Sequence, residues 1–90
     1  LRKALRLRPN YPEAHNSLGA VLYDQRKLPE AEKEYREALR LRPDYPEAHV
    51  NLGIVLRHQR KLPEAEKEYR EALRLRPDYP QAHYGLGNVL

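Results

Sequence analysis

The sequence contains no cysteine. Disulfides, thiolate metal sites and cysteine nucleophiles are therefore excluded together, and the redox compartment is left open. Long apolar runs are missing as well, so no helical segment can cross a bilayer and no membrane partner is expected. No basic, then apolar, then small-residue stretch opens the chain, so no targeting signal is visible. The default expectation is the cytoplasm. Because the first residues read as mid-helix, a fragment of a longer chain is expected. Nothing alternates with period two, which argues against strands. Glycine-rich phosphate loops and nucleophile–base spacings are lacking too, so the chain is read as a non-enzyme that needs no cofactor.

What is present is charge and order. Of the 90 residues, 33% are charged and 40% hydrophobic, a composition that suits patterned helices rather than disorder. Net charge is +4 with a pI near 9.5, which permits contact with nucleic acid without requiring it.

The order is a repeat. Residues 11–44 and 45–78 align without a gap at a period of 34, with 29 of 34 columns identical. Residues 79–90 begin a third copy, and residues 1–10 read as the tail of an earlier one. Each unit reads as two helices. The first starts at Pro12, Pro46 or Pro80, where a missing N–H costs nothing, and runs to about Gln25 in unit one. Arg26-Lys27-Leu28 turns the chain, and Pro29 opens the second helix, which Pro43 stops. Early Glu30, Glu32 and Glu34 and late Arg40 and Arg42 complement the second helix's dipole. The pairs Glu32–Arg36 and Lys33–Glu37 add weak i,i+4 support. The expected fold is all-α: antiparallel helical hairpins, each stabilised by stacking on its neighbours.

The columns His15-x-x-Leu18-Gly19-x-x-Leu22, Ala31-x-x-x-Tyr35, Ala38 and Pro43 resemble the tetratricopeptide repeat signature W-x-x-L-G-x-x-Y, A-x-x-x-F, A and P. The second unit repeats it with His49, Leu52, Gly53, Leu56, Ala65, Tyr69, Ala72 and Pro77. The third begins it with His83, Leu86, Gly87 and Leu90. Two departures are visible: histidine at the first column, and Arg26 and Arg60 in place of the inter-helix glycine. The resemblance implies a right-handed superhelix whose first helices line the concave side, where ligands lie.

The two whole units differ at five columns only: Asn16/Val50, Ser17/Asn51, Ala20/Ile54, Tyr23/Arg57 and Asp24/His58. The third copy departs at the same columns with Tyr84, Gly85 and Asn88, and adds Gln81 opposite Glu13 and Glu47. At about 100° per residue these columns share one arc of roughly 120° on the first helix. The exposed face of the second helix, with Glu34, Arg36, Glu37 and Arg40, is identical in both units. Free drift would have touched both helices, so the varied face is read as selected for contacts.

The candidate groove is therefore Glu13, Asn16, Ser17, Ala20, Tyr23 and Asp24, then Glu47, Val50, Asn51, Ile54, Arg57 and His58, then Gln81, Tyr84, Gly85 and Asn88. Glu13, Asp24 and Glu47 against Arg57 give it a formal charge of −2. It lacks the clustered Lys and Arg of a phosphate-binding face, so no nucleic acid is expected there. Tyr23 and Tyr84 offer rigid anchors, Val50 and Ile54 an apolar centre, and Asn16, Asn51 and Asn88 hydrogen bonds to a peptide backbone. The expected partner is a peptide or a partner's helix. Chaperone-binding members of the family clamp a C-terminal carboxylate with Lys, Asn, Asn, Lys and Arg. The matching positions are Asn16, Ala20, Asn51, Gln81 and Gly85, of which only Asn51 agrees, so no such clamp is expected.

Two further readings remain at this level. Leu5, Leu86, Val89 and Leu90 at the two ends suggest head-to-tail self-association, and the array could also be the docking arm of a larger enzyme. His15, His49 and His83 invite a metal. A shared ion needs nitrogens about 2.0–2.1 Å from it, whereas stacked equivalent positions are about 8–10 Å apart. Packed, neutral imidazoles are expected instead, with stability falling below about pH 6.

Overall fold

The computed structural model describes residues 11–90. The repeat tail expected over residues 1–10, Leu5 included, lies outside them. Five α-helices follow one another: α1 Pro12–Asp24, α2 Leu28–Leu41, α3 Pro46–His58, α4 Leu62–Leu75 and α5 Pro80–Val89. None of them is long and apolar enough to cross a membrane.

Each helix begins with proline at its first or second position and has no side-chain cap. Proline fixes the backbone for the first turn and removes a donor that would otherwise lack a partner. The first helices end in a shared device. Arg26 and Arg60 adopt left-handed backbone, with φ of 62° and 63°. The Arg26 N–H donates to the Tyr23 carbonyl at 2.9 Å and the Lys27 N–H to the Leu22 carbonyl at 2.9 Å. These two reversed bonds close the helix end in the Schellman manner. The turn therefore has the geometry a glycine would favour, built with arginine.

α1 packs on α2, α3 on α4, and α3 also lies against α2, so α3 is enclosed by both hairpins. Its burial follows: Val55 is 0% exposed, whereas Val21 in the same column of α1 is 39% exposed. The core joins Leu18, Leu22, Ala31 and Tyr35 of the first hairpin to Leu52, Leu56, Ala65 and Tyr69 of the second. Close approach depends on absent side chains. A Cβ on Gly19 would lie 2.6 Å from the ring of Tyr35, and one on Gly53 would lie 2.8 Å from the ring of Tyr69.

The outer faces of α2 and α4 carry ion pairs. Glu32–Arg36 forms as expected at 2.8 Å, but Glu37 pairs with Arg40 at 2.6 Å rather than with Lys33. Arginine's planar fork, three residues on, offers two donors to one carboxylate where lysine offers a point charge. The architecture is an all-α repeat solenoid.

Candidate functional site

Helices α1, α3 and α5 stand side by side, and their varied columns meet along one surface. The Asn51 amide donates to Asn16 Oδ1 at 3.1 Å. The Tyr23 hydroxyl lies 2.9 Å from His58 Nε2, with the two rings tilted at 52°. Burial and then the charges of Arg57 and Arg26 lower the pKa of His58. A neutral ring suits Nε2 as acceptor of the Tyr23 hydroxyl proton. Both contacts join a residue of α1 to the residue 35 positions on, one beyond the repeat length. The groove's polar residues thus hold each other in register as well as facing outward. Ala20 and Asp24 are exposed, and Ser17 is half-buried.

Two expectations are corrected. Val50 does not form the apolar centre of the groove. It is 3% exposed and belongs to the core, because an apolar side chain at the edge of the arc folds inward between hairpins. Asn16 and Tyr84, in the same column, stay half-buried and exposed. The groove is also less acidic than its formal charge. Glu13 pairs with Arg42, and Glu47 pairs with Arg76 at 2.8 Å. Burial pushes the Glu47 carboxyl up, but its own backbone N–H and Arg76 outweigh that and lower its pKa. The two arginines come from the ends of α2 and α4 and stack over Tyr45 and Tyr79 at 4.4 and 4.5 Å. A first-helix count of charge misses them.

Between α3 and α5 the surface opens into a pocket of about 360 Å³, lined by Ile54, Arg57, Tyr69, Pro80, Gln81, Tyr84, Gly85 and Asn88. Six of these belong to the groove read from the sequence, while Tyr69 and Pro80 do not. Tyr69 comes from the second helix, and its place beneath the groove follows from the missing side chain at Gly85. A Cβ there would lie 2.3 Å from the Tyr69 ring. The ring is fully buried, yet its hydroxyl has no hydrogen-bond partner of normal geometry, and neither does the buried Nε of Arg57. Burial raises the Tyr69 pKa, and the adjacent Arg57 opposes the rise. Buried donors of this kind usually find a partner.

The three histidines of the signature column are tied to separate acceptors. His15 Nδ1 meets Glu34 at 2.8 Å and His83 Nε2 meets the Pro77 carbonyl at 2.8 Å. His49 is 8% exposed and has both: Nδ1 lies 2.8 Å from Glu68 and Nε2 lies 2.8 Å from the Pro43 carbonyl. Burial lowers its pKa, but the bonds to Glu68 and Pro43 together outweigh burial and raise it. The geometry at His49 thus disfavours the expected neutral packed imidazole. Two acceptors facing two ring nitrogens favour the imidazolium, which alone can donate at both.

A family model described as tetratricopeptide repeat matches residues 1–46, 21–80 and 51–90. The chain belongs to the tetratricopeptide repeat family. Three solved structures are similar to this tetratricopeptide array. The first such domain of Spaghetti (RPAP3), bound to the HSP90 peptide SRMEEVD, matches at TM-score 0.95 and 25% identity, over 98% of this chain and 70% of that one. YrrB, a tetratricopeptide protein with an unusual peptide-binding site, matches at 0.92 and 25%, over 99% and 46%. A mutant O-GlcNAc transferase of Thermobaculum terrenum matches at 0.94 and 33%, over 98% of this chain and 17% of that enzyme. No match is found among curated protein sequences.

Proposed function

We propose that this array is a protein-interaction scaffold that holds an extended peptide or a partner's helix across α1, α3 and α5. The observation that carries the reading is the pocket over Tyr69, because six of its eight lining residues come from diversified columns of the first helices. The identical outer faces of α2 and α4 offer no such variety. Two of the similar structures support it by their own ligands, one holding an HSP90 peptide and one having a peptide-binding site. Tyr84, 74% exposed at the pocket rim, has the rigid amphipathic character common at interface hot spots. A C-terminal carboxylate clamp is not part of the proposal. Of its five positions, Gln81 and Gly85 bring no cation, and the Asn51 amide already serves Asn16. The array has no proposed catalytic role.

Peptides selected from a displayed library, followed by NMR mapping of one binder, test the reading. Shifts should cluster on Asn51, Ile54, Tyr84 and Asn88, and Tyr84→Ala should weaken binding about tenfold without lowering Tm. Shifts centred on Arg36 or Arg70 of the outer face would overturn it.

A further inference from the structure

We infer that the pocket over Tyr69 is specific for a carboxylate, namely the side chain of a glutamate within a bound peptide; this rests on the groove reading above.

Arg57 is the one ionised side chain lining the pocket, and no carboxylate lines it. The nearby Glu47 is held by Arg76. Two donors in this region, Arg57 Nε and the Tyr69 hydroxyl, are buried and lie against one another without a hydrogen-bond partner of normal geometry. An occupant that accepts from both relieves two unsatisfied groups at once, and a carboxylate has two oxygens to do so. An arginine donating through Nε is also suited to a paired, charge-assisted contact with a carboxylate. The walls are otherwise apolar: Ile54, Pro80 and the Tyr69 ring can cover the methylenes that lead to the charge. Glutamate supplies two of these for the Ile54 and Pro80 walls to cover. The amides of Gln81 and Asn88 remain for the peptide backbone on either side.

The neighbouring junction makes the assignment specific. In the preceding repeat Tyr23 stands in the Arg57 column and Glu47 in the Gln81 column. That junction replaces the cation with a tyrosine and the amide with a carboxylate that already occupies Arg76, so it lacks the arginine that its neighbour offers the ligand. The site is also distinct from the family's clamp positions, since Arg57 is not among them.

The probe is a peptide array of paired nine-residue sequences, acetylated and amidated, with glutamate or glutamine at the centre and randomised flanks. Glutamate peptides should bind about tenfold more tightly than their glutamine partners. Arg57→Gln should bring that ratio close to one, and Tyr69→Phe, which keeps the ring, should cut it about threefold. Equal binding of the two peptide sets to the unaltered array overturns the carboxylate assignment. If Tyr84→Ala still weakens both sets, the groove reading survives that failure. Absence of binding by capped peptides and by their uncapped counterparts alike overturns both readings. Binding only by peptides with a free C-terminus overturns the glutamate assignment in favour of a terminal carboxylate.

Discussion

The two junctions between repeats share one floor and differ in what stands over it. Helices α2 and α4 have the same fourteen residues, and each buries its tyrosine, Tyr35 or Tyr69, beneath two first helices. Over Tyr35 the chain places Ala20, Tyr23, Glu47, Val50 and Asn51. Over Tyr69 it places Ile54, Arg57, Gln81, Tyr84 and Gly85. The first set closes on itself, with Val50 in the core and Asn51 bonded to Asn16. The second stays open. A constant floor with changed walls lets one repeat serve as packing and the next as a pocket. The identical helices act as a built-in control, so what differs directly over the two tyrosines traces to the first helices.

The largest expected effect attacks the floor itself. Gly53→Ala puts a Cβ 2.8 Å from the Tyr69 ring while α3 is enclosed by both hairpins. Neither partner can give way, and a loss of about 2–3 kcal/mol is expected by thermal or urea unfolding. Gly85→Ala should cost less, about 1 kcal/mol. Its Cβ would meet the ring at 2.3 Å, but the equivalent position of the first junction already accommodates Asn51. Gly87 has open space at its Cβ, so Gly87→Ala should be neutral or stabilise slightly through helix propensity, by less than about 1 kcal/mol. Equal costs at the three glycines would mean that the wall at Gly85 is no more adjustable than the one at Gly53.

Next comes the column that is buried at one junction and exposed at the other. Val50→Ala should destabilise by about 1–2 kcal/mol, since it removes methyl groups from the core. Tyr84→Ala should stay within about 0.5 kcal/mol. The turns, by contrast, should respond alike. Arg26→Gly and Arg60→Gly each relieve a left-handed residue and should stabilise by about 0.5–1 kcal/mol. Unequal gains would show that the two hairpins are not equivalent outside their first helices.

Histidine separates the junctions by pH. The folded pKa of His49 is raised above the unfolded value of about 6.5. Its stabilising contribution is therefore complete below about pH 6.5 and is lost as pH rises through the raised value. Tm should decline between pH 6 and 8.5, a window in which the carboxylates are already ionised. His49→Gln should flatten the decline. A Tm that instead falls from pH 7.5 to 5.5 would restore the neutral-imidazole expectation.

Much of this was legible in the letters. Two gapless copies and proline at each helix start define the hairpins, and the angular clustering of five columns marks one face. Three things were not. Val50 lies at the edge of the arc, where burial is decided by the side chain's polarity and its neighbours rather than by angle. The pocket floor belongs to Tyr69, an invariant second-helix residue, so a comparison of copies that looks for variation passes over it. Arg42 and Arg76 cancel groove charge from the ends of the second helices, which only the packing of one hairpin on the next brings into range of Glu13 and Glu47.

The smallest expected difference lies on the outer face, at one column of two identical helices. Glu32 accepts from Arg36 at 2.8 Å, from Gln59 at 2.9 Å and from Lys61 at 3.3 Å, so it ties α2 to the turn after α3. Glu66, in the same column of α4, bonds Arg70 at 2.9 Å within its own helix. Burial pushes the Glu32 carboxyl up, but its three donors outweigh burial and lower the pKa. An exposed i,i+4 pair is worth about 0.3–0.5 kcal/mol, so Glu66→Gln should cost no more than that. Glu32→Gln should cost roughly twice as much, up to about 1 kcal/mol, because two bonds across the repeat boundary weaken with it. The excess over Glu66 should shrink as pH falls through the lowered pKa of Glu32, where the carboxylate is protonated in the unaltered chain too. Urea unfolding of both variants at pH 7 and pH 3.5 resolves this. Equal costs at pH 7 would mean that Glu32 is held by its own helix alone, and that the boundary between repeats depends on the core and the groove instead.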